Sequence, residues 1–251
     1  MKLLFMKKIM KSFIVTISAF AFLLVGCNKS NFKDGGTTSR KFNGNIIQYL
    51  ESKKEDNKLL LEIIDLAGFK NTLSDETVTF FAPSAPCIDR TIRDLNRALF
   101  STGRDTVSVM SQIKPAVWRW ALGNYIFREK RSLVDYPQVD LNNKAVFKGQ
   151  TFESYTGRFM NVGVEYGNAS GIQYAGYRNL VLSYPVSQTD LAGFWFNGRV
   201  ASSDIETDKG FVHVIAMYET NLNGLYIEPH YFGFSFIDFV NMALDYGIGR
   251  P

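Results

Sequence analysis

Hydrophobic positions at the start of the chain form a single run with positively charged residues before it. Four lysines occupy the first eleven residues, and an uncharged apolar stretch covers residues 13–25. This stretch is too short for a helix to cross a hydrocarbon core, which takes about 20 apolar residues. Its length and flanks are typical of the n-region and h-region of a signal peptide. We therefore expect residues 1–26 to be cleaved from the mature chain.

The end of the apolar run has the form of a lipoprotein cleavage site. The sequence Leu24-Val25-Gly26-Cys27 places a small residue before a cysteine and resembles the bacterial lipoprotein processing box. The resemblance implies that Cys27 becomes a lipidated N-terminus, which two or more acyl chains would anchor stably. The alternative is an ordinary secretory signal with a cysteine nearby. Asn28 lacks the acidic side chain that favours inner-membrane retention in some bacteria, so we expect a cell-envelope protein at the outer membrane.

A polar, Gly/Ser/Thr-rich segment over residues 27–41 is expected to be a lipidated flexible tether. Beyond it, apolar residues recur at spacings of three and four, which indicates helices. The expected helices cover residues 46–50, 59–67, 88–100 and 115–125. Gly68 is well placed to end the second helix, and either Ser84 or Asp89 could begin the third.

Most of the strand-like patterns lie in the C-terminal half of the chain, after the expected helices. Residues 78–81 form a short β-prone run before Pro83, and from about residue 145 short alternating runs are separated by turn residues. These expected strands cover residues 145–147, 151–155, 158–166, 181–184, 199–205 and 211–218. Helices first and strands later predict an α+β fold and not the regular alternation of a parallel sheet.

The last amphipathic segment predicts a helix over residues 234–246. Ile237, Val240 and Leu244 share one stripe of this helix, and the segment lacks the basic face of a membrane-surface helix. We therefore expect these three side chains to dock the helix on the core.

The charge and cysteine content of the chain argue against nucleic-acid binding and against a disulfide. The chain carries 28 Lys+Arg and 24 Asp+Glu, and 4 of the lysines lie in the leader, which leaves 24 of each sign in the mature part. A net charge near zero gives no electrostatic basis for nucleic-acid binding. Cys27 and Cys87 are the only cysteines. With Cys27 acylated no disulfide can form, and Cys87 is expected to be a small buried residue.

Two segments of the chain resemble the fasciclin family. Residues 60–68 and 79–84 resemble its first box, a helix ending in Ala-Gly before a strand ending in Phe-Ala-Pro. Residues 200–216 resemble its second box, with Asp-Ile, a turn glycine and a strand containing His-Val-Ile. The resemblance covers residues 42–222 and implies a fasciclin-like domain with N-terminal helices packed on a mostly antiparallel β-wedge or sandwich. Residues 223–251 lie beyond it as a C-terminal extension.

The resemblance also implies a class of function. Fasciclin domains are associated with adhesion and with binding to proteins or carbohydrates, and few are catalytic. In some animal members an Asp-Ile pair takes part in receptor binding, and this pair falls on Asp204 and Ile205. The central Tyr-His element of the family has no counterpart here. We therefore expect a non-catalytic adhesion or binding module whose partners are the membrane, through the lipid anchor, and an envelope or extracellular protein or glycan.

Two other functions remain open from sequence. One is an accessory glycan-binding lipoprotein of an outer-membrane polysaccharide-uptake system, and the other is a hydrolase that uses a pair of carboxylates. For the first, Trp195 lies in an expected loop beside Asn197-Gly198 and could stack on a sugar ring, although core packing is the usual fate of a large aromatic side chain. For the second, Glu153 and Glu165 fall in the strand region, but their separation cannot be read from the sequence.

Cofactor and metal chemistry finds little support in the sequence. His213 and His230 are the only histidines, so a multi-histidine metal site is excluded, and no cofactor-binding motif is present. Residues 204–208 alternate three acids but do not match the calcium-loop template. His213 is expected to be buried and hydrogen-bonded to backbone, as the resemblance implies. We expect no cofactor and no metal.

Overall fold

The computed structural model describes residues 40–216, 219–220, 226–227 and 230–248. In this part of the chain the helices are α1 (Ile46–Ser52), α2 (Lys54–Ala67), α3 (Lys70–Asp75), α4 (Ala85–Ser101), α5 (Pro115–Gly123) and α6 (Phe236–Tyr246). The strands are β1 (Val78–Ala82), β2 (Ile126–Arg128), β3 (Gln150–Glu153), β4 (Phe159–Tyr166), β5 (Arg178–Pro185), β6 (Trp195–Glu206), β7 (Gly210–Ile215), β8 (Glu219–Thr220) and β9 (Tyr226–Ile227). The predicted signal peptide, Cys27 and most of the predicted tether lie outside the described residues.

The order of elements confirms the predicted α+β class, with helices in the N-terminal half and most strands after them. All the predicted helices are present with shifted ends, and α3 is an additional short helix. Gly68 ends α2 in the left-handed conformation, with φ of 71°, as the sequence predicts. Ser84, and not Asp89, precedes α4.

Seven strands form one mostly antiparallel sheet in the order β2-β1-β7-β6-β5-β4-β3, in which only the β1–β7 pair is parallel. The two outer strands approach each other, because Phe127 of β2 pairs with Ser154 just after β3. The sheet is therefore nearly closed. β8 and β9 form a separate two-stranded pair.

Two details of the predicted strands are wrong. Residues 145–147 form a turn, because this segment belongs to a longer irregular stretch that crosses the outer face of the sheet. β6 begins at Trp195, four residues before the predicted start at Arg199. The Asn197-Gly198 step, which suggested a loop, is paired in register with Ser183 and Leu182 of β5.

A single large core joins the helices to the sheet. Its largest fully buried side chains are aromatic, and they include Trp118, Tyr125, Tyr184, Phe69, Phe80 and Phe81. Each such side chain contributes roughly 1.5–3 kcal/mol on burial, so the fold does not need a disulfide. Cys87 is fully buried, as predicted. None of the helices in the described residues is long and apolar enough to span a bilayer.

The C-terminal helix is present, and of the three side chains predicted to dock it Val240 packs on the core, whereas the prediction is wrong for the other two. Phe239 and Ala243 are fully buried, whereas Ile237 is 71% and Leu244 is 38% exposed. In the first turn of α6 the hydroxyl of Tyr184 donates to Asp238 Oδ2 at 2.6 Å, which ties the helix to β5. Residues 230–248 therefore belong to the same core as the rest of the described chain.

Candidate binding surfaces

Asp204 occupies an irregular point of β6, where the register with β7 shifts. Its φ is 61°, a left-handed conformation that Asp tolerates better than most residues. Its carboxylate accepts a hydrogen bond from the backbone N–H of Leu133 at 2.6 Å. The side chain is 20% exposed, so this carboxylate is partly engaged in holding a neighbouring segment.

His213 is buried in the core and holds the backbone at Asp204 by a hydrogen bond. Its Nδ1 accepts the backbone N–H of Asp204 at 3.1 Å, and its Nε2 lies 3.0 Å from the carbonyl of Arg131. Burial lowers the pKa of His213, which favours the neutral ring that this arrangement requires. The prediction of a buried histidine bonded to backbone is confirmed.

Ile205, the second residue of the Asp-Ile pair, offers little surface. It is only 5% exposed, whereas Val134, next to Leu133, is 76% exposed. A partner at this point would meet the edge of Asp204 and the apolar Val134 before it reached Ile205. The binding role of Asp204 and Ile205 stays a prediction.

Trp195 lies at the start of β6 and is only 7% exposed. Its indole N–H donates to the carbonyl of Leu191 at 2.8 Å, and Lys144 Nζ lies 4.2 Å from the ring centroid. The ring packs against Val139 and Val181. Because residues 137–149 cover this outer face of the sheet, the ring has little surface to offer a ligand.

The predicted binding residues do not meet in one site. Trp195 and Asp204 lie nine positions apart on the 12-residue strand β6, which corresponds to roughly 30 Å along a strand. β5 and β6 are antiparallel, so the end of β6 that carries Asp204 lies at the same end of the sheet as the β4–β5 loop (residues 167–177).

The β4–β5 loop is ordered by its own backbone. Gly167 N–H donates to the carbonyl of Tyr177 at 2.7 Å, and Gly176 N–H donates to the carbonyl of Gly167 at 2.8 Å. Ala169 and Ile172 bond each other across the turn in both directions, at 3.1 and 2.9 Å. Although rich in glycine, the loop is therefore a closed hairpin end with a defined shape.

Tyr174 docks this loop on the segment that covers the outer face. Its hydroxyl donates to Asp140 Oδ2 at 2.8 Å, and its ring meets Phe147 edge-on at 5.1 Å between centroids. Its φ is 60°, which is unusual for a bulky residue and costs on the order of 1–2 kcal/mol. Strained backbone of this kind often accompanies a binding function.

These two segments carry three large apolar side chains that are exposed. Tyr177 is 74%, Val146 is 65% and Ile172 is 64% exposed. We call residues 140–148 and 167–177 together the tip surface. Sequence reasoning missed it, because Ile172 and Tyr177 sit in a Gly-rich loop without periodicity, and only the tertiary contacts of Tyr174 join this loop to the segment that carries Val146.

One of the two carboxylates considered for a hydrolase is already bound by another side chain. The carboxylate of Glu165 is bound by Arg199 through two contacts of 2.7 and 3.1 Å. Among the described residues, no group of three or more His, Cys, Asp or Glu side chains is placed to hold a metal ion.

His230, for which the sequence predicted no role, is partly buried and belongs to a row of hydrogen-bonding side chains that links α4 to the C-terminal segment. Its Nδ1 lies 3.7 Å from Cys87 Sγ, and its Nε2 lies 3.3 Å from the hydroxyl of Tyr125. That hydroxyl also accepts the backbone N–H of Gly233 at 3.0 Å. Burial and then the charge of Arg90 lower the pKa of His230 to about 4, so the ring is neutral at pH 7 and ties the C-terminal segment to α4.

Among known proteins, a match to this chain is found with solved structures and not with family models or curated sequences. No family model and no curated protein matches the chain. Among solved structures, it is similar to a FAS1 domain pair from the insect cell adhesion molecule fasciclin I, with 16% sequence identity and a TM-score of 0.31. The match covers 72% of this chain and 48% of the other, so the chain spans about half the length of that domain pair.

Proposed function

We propose that this protein is a lipid-anchored, non-catalytic binding module of the cell envelope. Cys27 would hold it at the outer membrane, and the tip surface would bind an envelope or extracellular protein. The signal-peptide pattern supports the anchor, and the two fasciclin-like segments support a binding function. The exposure of Ile172 and Tyr177 on a loop held in place by Tyr174 carries the proposal.

The tip surface has the size and composition of a recognition surface. Its two segments, residues 140–148 and 167–177, together supply about 20 residues, which is the lower end of a standard protein interface. The β4–β5 loop is built mostly from Gly, Tyr, Asn, Ser and Ala. Tyrosine supplies a large contact area at a low entropic cost, and the small residues let the backbone adapt, as in antibody loops.

The other two functions have less support from the described residues. The hydrolase alternative needs a pair of free carboxylates, and Glu165 is occupied by Arg199. The glycan-uptake alternative was based on Trp195, whose ring is covered by Lys144 and residues 137–149. A protein partner for the tip surface therefore takes precedence.

Partner capture with matched variants tests the proposal. The mature chain is used to recover proteins from envelope extract, alongside the double variant Ile172→Asp/Tyr177→Ala. The control is Phe100→Ala on α4, because Phe100 is 80% exposed but lies outside the tip surface. We expect one stoichiometric protein to be lost with the double variant and retained with the control. Recovery of no such protein, or equal recovery with both variants, would contradict the proposal.

The anchor has its own test. Mass spectrometry of the mature protein is expected to show Cys27 as an acylated N-terminal residue, and Cys27→Ser is expected to move the protein from the membrane to the soluble fraction. A free thiol at Cys27 would support an ordinary secretory signal and would leave the tip surface proposal intact.

A further inference from the structure

Phe194, the neighbour of the covered Trp195, is an exposed aromatic ring. Successive side chains of a strand point to opposite faces, so Phe194 points away from the segment that covers Trp195. It is 68% exposed, although its carbonyl accepts the backbone N–H of Val186 at 3.0 Å. The ring is thus exposed on backbone that is held by a hydrogen bond just beyond the paired ends of β5 and β6.

The ring is also supported from behind. It meets Phe196 edge-on, with 5.2 Å between centroids and an interplanar angle of 89°. Phe196 in turn lies 6.4 Å from the ring of the buried Tyr184. A row of three aromatic rings therefore runs from the core to the surface, and its outermost member is held in one orientation with one side open.

Polar side chains that could bond hydroxyls lie on the loop that leads to this ring. The β5–β6 loop contains Ser187, Gln188, Thr189 and Asp190. The carboxylate of Asp190 lies beside Gly193, with Oδ2 3.1 Å from the point where a Cβ on that glycine would stand. The Ser187 and Thr189 hydroxyls are 3.1 Å apart, and both belong to the same turn. Hydroxyl and carboxylate groups therefore lie on the loop that carries the ring.

The guanidinium of Arg158 completes the surroundings. It stacks on the Tyr184 ring at 3.8 Å from the centroid, and its Nη2 donates to the carbonyls of Pro185 and Val186 at 2.8 and 3.1 Å. It is thus fixed beside Val186, which is itself 48% exposed. The arginine supplies a planar donor group next to the apolar surface.

Area and charge decide which class of ligand fits. An aromatic side chain offers on the order of 200 Å², so Phe194 and Val186 together expose far less than the ~800 Å² that a protein partner needs on each side. The two charged groups placed beside this ring, the guanidinium of Arg158 next to Val186 and the carboxylate of Asp190 next to Gly193, are of opposite sign, which favours an uncharged ligand over an anionic surface. A neutral sugar ring fits both limits, because its C–H face packs on an aromatic ring while its hydroxyls bond polar side chains.

We propose that Phe194 is the stacking platform of a carbohydrate site, with the side chains of Asp190 and Arg158 as hydroxyl partners. The ligand is a neutral hexopyranose within a β-linked glycan, since equatorial substituents leave a flat C–H face for stacking. The site lies at the start of β6, at the opposite end of the sheet from the β4–β5 loop, although Lys144 of the tip surface donates to the nearby carbonyls of Ala192 and Gly193. It adds to the proposed function and does not depend on it.

Titration of the mature chain with cellohexaose, laminarihexaose and chitohexaose tests this site by calorimetry and by NMR. We expect at least one probe to bind in the micromolar-to-millimolar range, and Phe194→Ala to weaken that binding about tenfold or more. Phe194→Trp should preserve binding, because it keeps a ring, and Asp190→Ala should weaken it.

Two controls separate this site from the tip surface. Phe100→Ala and Tyr177→Ala should bind the probe as well as the unmodified protein does. No binding of any of the three probes at millimolar concentration would overturn the proposal. Binding that Phe194→Ala leaves unchanged would also overturn it. Neither outcome bears on protein capture by the tip surface, which is measured separately.

Discussion

The backbone N–H of Asp204 donates to Nδ1 of His213 at 3.1 Å, and this bond defines the tautomer of the buried histidine. Because Nδ1 accepts, the proton must be on Nε2, which then donates to the carbonyl of Arg131 at 3.0 Å. The Asp204 carboxylate lies 4.0 Å from Nδ1 and would favour a charged ring, but burial opposes the charge more strongly. A strained residue of β6 and a neutral core histidine therefore depend on each other.

Both histidines should make stability depend on pH between neutrality and pH 4. Their folded-state pKa values lie below the ordinary 6.5, and that of His230 is about 4. As pH falls below 6.5, the unfolded chain takes up protons that the folded chain does not, so the free energy of unfolding decreases. For the partly buried His230 the loss is on the order of 2 kcal/mol by pH 4.

Urea unfolding at pH 7.5, 6.5, 5.5 and 5.0 measures this dependence above the range where most carboxylates titrate. His230→Gln, which keeps a polar side chain beside Cys87 and Tyr125, should flatten the curve. Equal slopes for the variant and the unmodified protein would show that His230 is protonated alike in both states.

Substitutions at Asp204 separate its structural role from its predicted binding role. Asp204→Asn keeps an acceptor for the N–H of Leu133 and tolerates the φ of 61°, so the fold should lose less than about 1 kcal/mol. Asp204→Ala loses the acceptor and strains the backbone, and should lose about 2–3 kcal/mol. Chemical denaturation of the two variants checks this order. If Asp204 binds a partner through its charge, Asp204→Asn should weaken that binding while the protein stays folded.

The α+β class could be predicted because its signals are local. Helices α1, α2, α4 and α5 follow from apolar spacing, and Gly68 ends α2 because a left-handed residue is needed there. The inner face of α6 could not be chosen in this way, since its sequence is apolar on most sides. The face that is buried depends on tertiary packing, which includes the bond of Asp238 to Tyr184, about 50 residues earlier in the sequence.

The candidate surfaces were harder to predict than the elements, because covering segments decide which aromatic residues remain exposed. Phe194, Trp195 and Phe196 look equivalent in the sequence, yet residues 137–149 cover only the side to which Trp195 points.

The turn glycine of the second fasciclin-like segment, Gly210, is also explained only by the fold. A Cβ there would stand 1.8 Å from the carbonyl oxygen of Val78, so glycine is needed for the close approach of β7 to β1.

Gly149 provides a matched test of steric crowding against backbone strain. Its φ is 65°, and a Cβ would stand 2.4 Å from Asn161 Oδ1 and 3.0 Å from the carbonyl oxygen of Val162. Gly103 has nearly the same φ, 68°, with nothing within 4 Å of its Cβ position. Gly103→Ala should therefore cost about 1 kcal/mol of unfolding free energy, and Gly149→Ala about 3 kcal/mol or more. Equal losses in urea unfolding would mean that Asn161 moves aside without cost.

The bond between Tyr174 and Asp140 should control the order of the tip surface without controlling the fold. Tyr174→Phe keeps the ring contact with Phe147 but removes the hydroxyl that donates to Asp140. Amide hydrogen exchange should then become faster in residues 168–176 and stay unchanged in β4 and β5, and the urea midpoint should not move. The protein partner should bind several-fold more weakly, because part of its binding energy would be used to order the loop. Binding of a glycan at Phe194 should not change, since Tyr174 lies on the β4–β5 loop, at the other end of the sheet from Phe194. If exchange in residues 168–176 is as slow in Tyr174→Phe as in the unmodified protein, the backbone bonds of the loop alone hold its shape, and Tyr174 contributes only its ring.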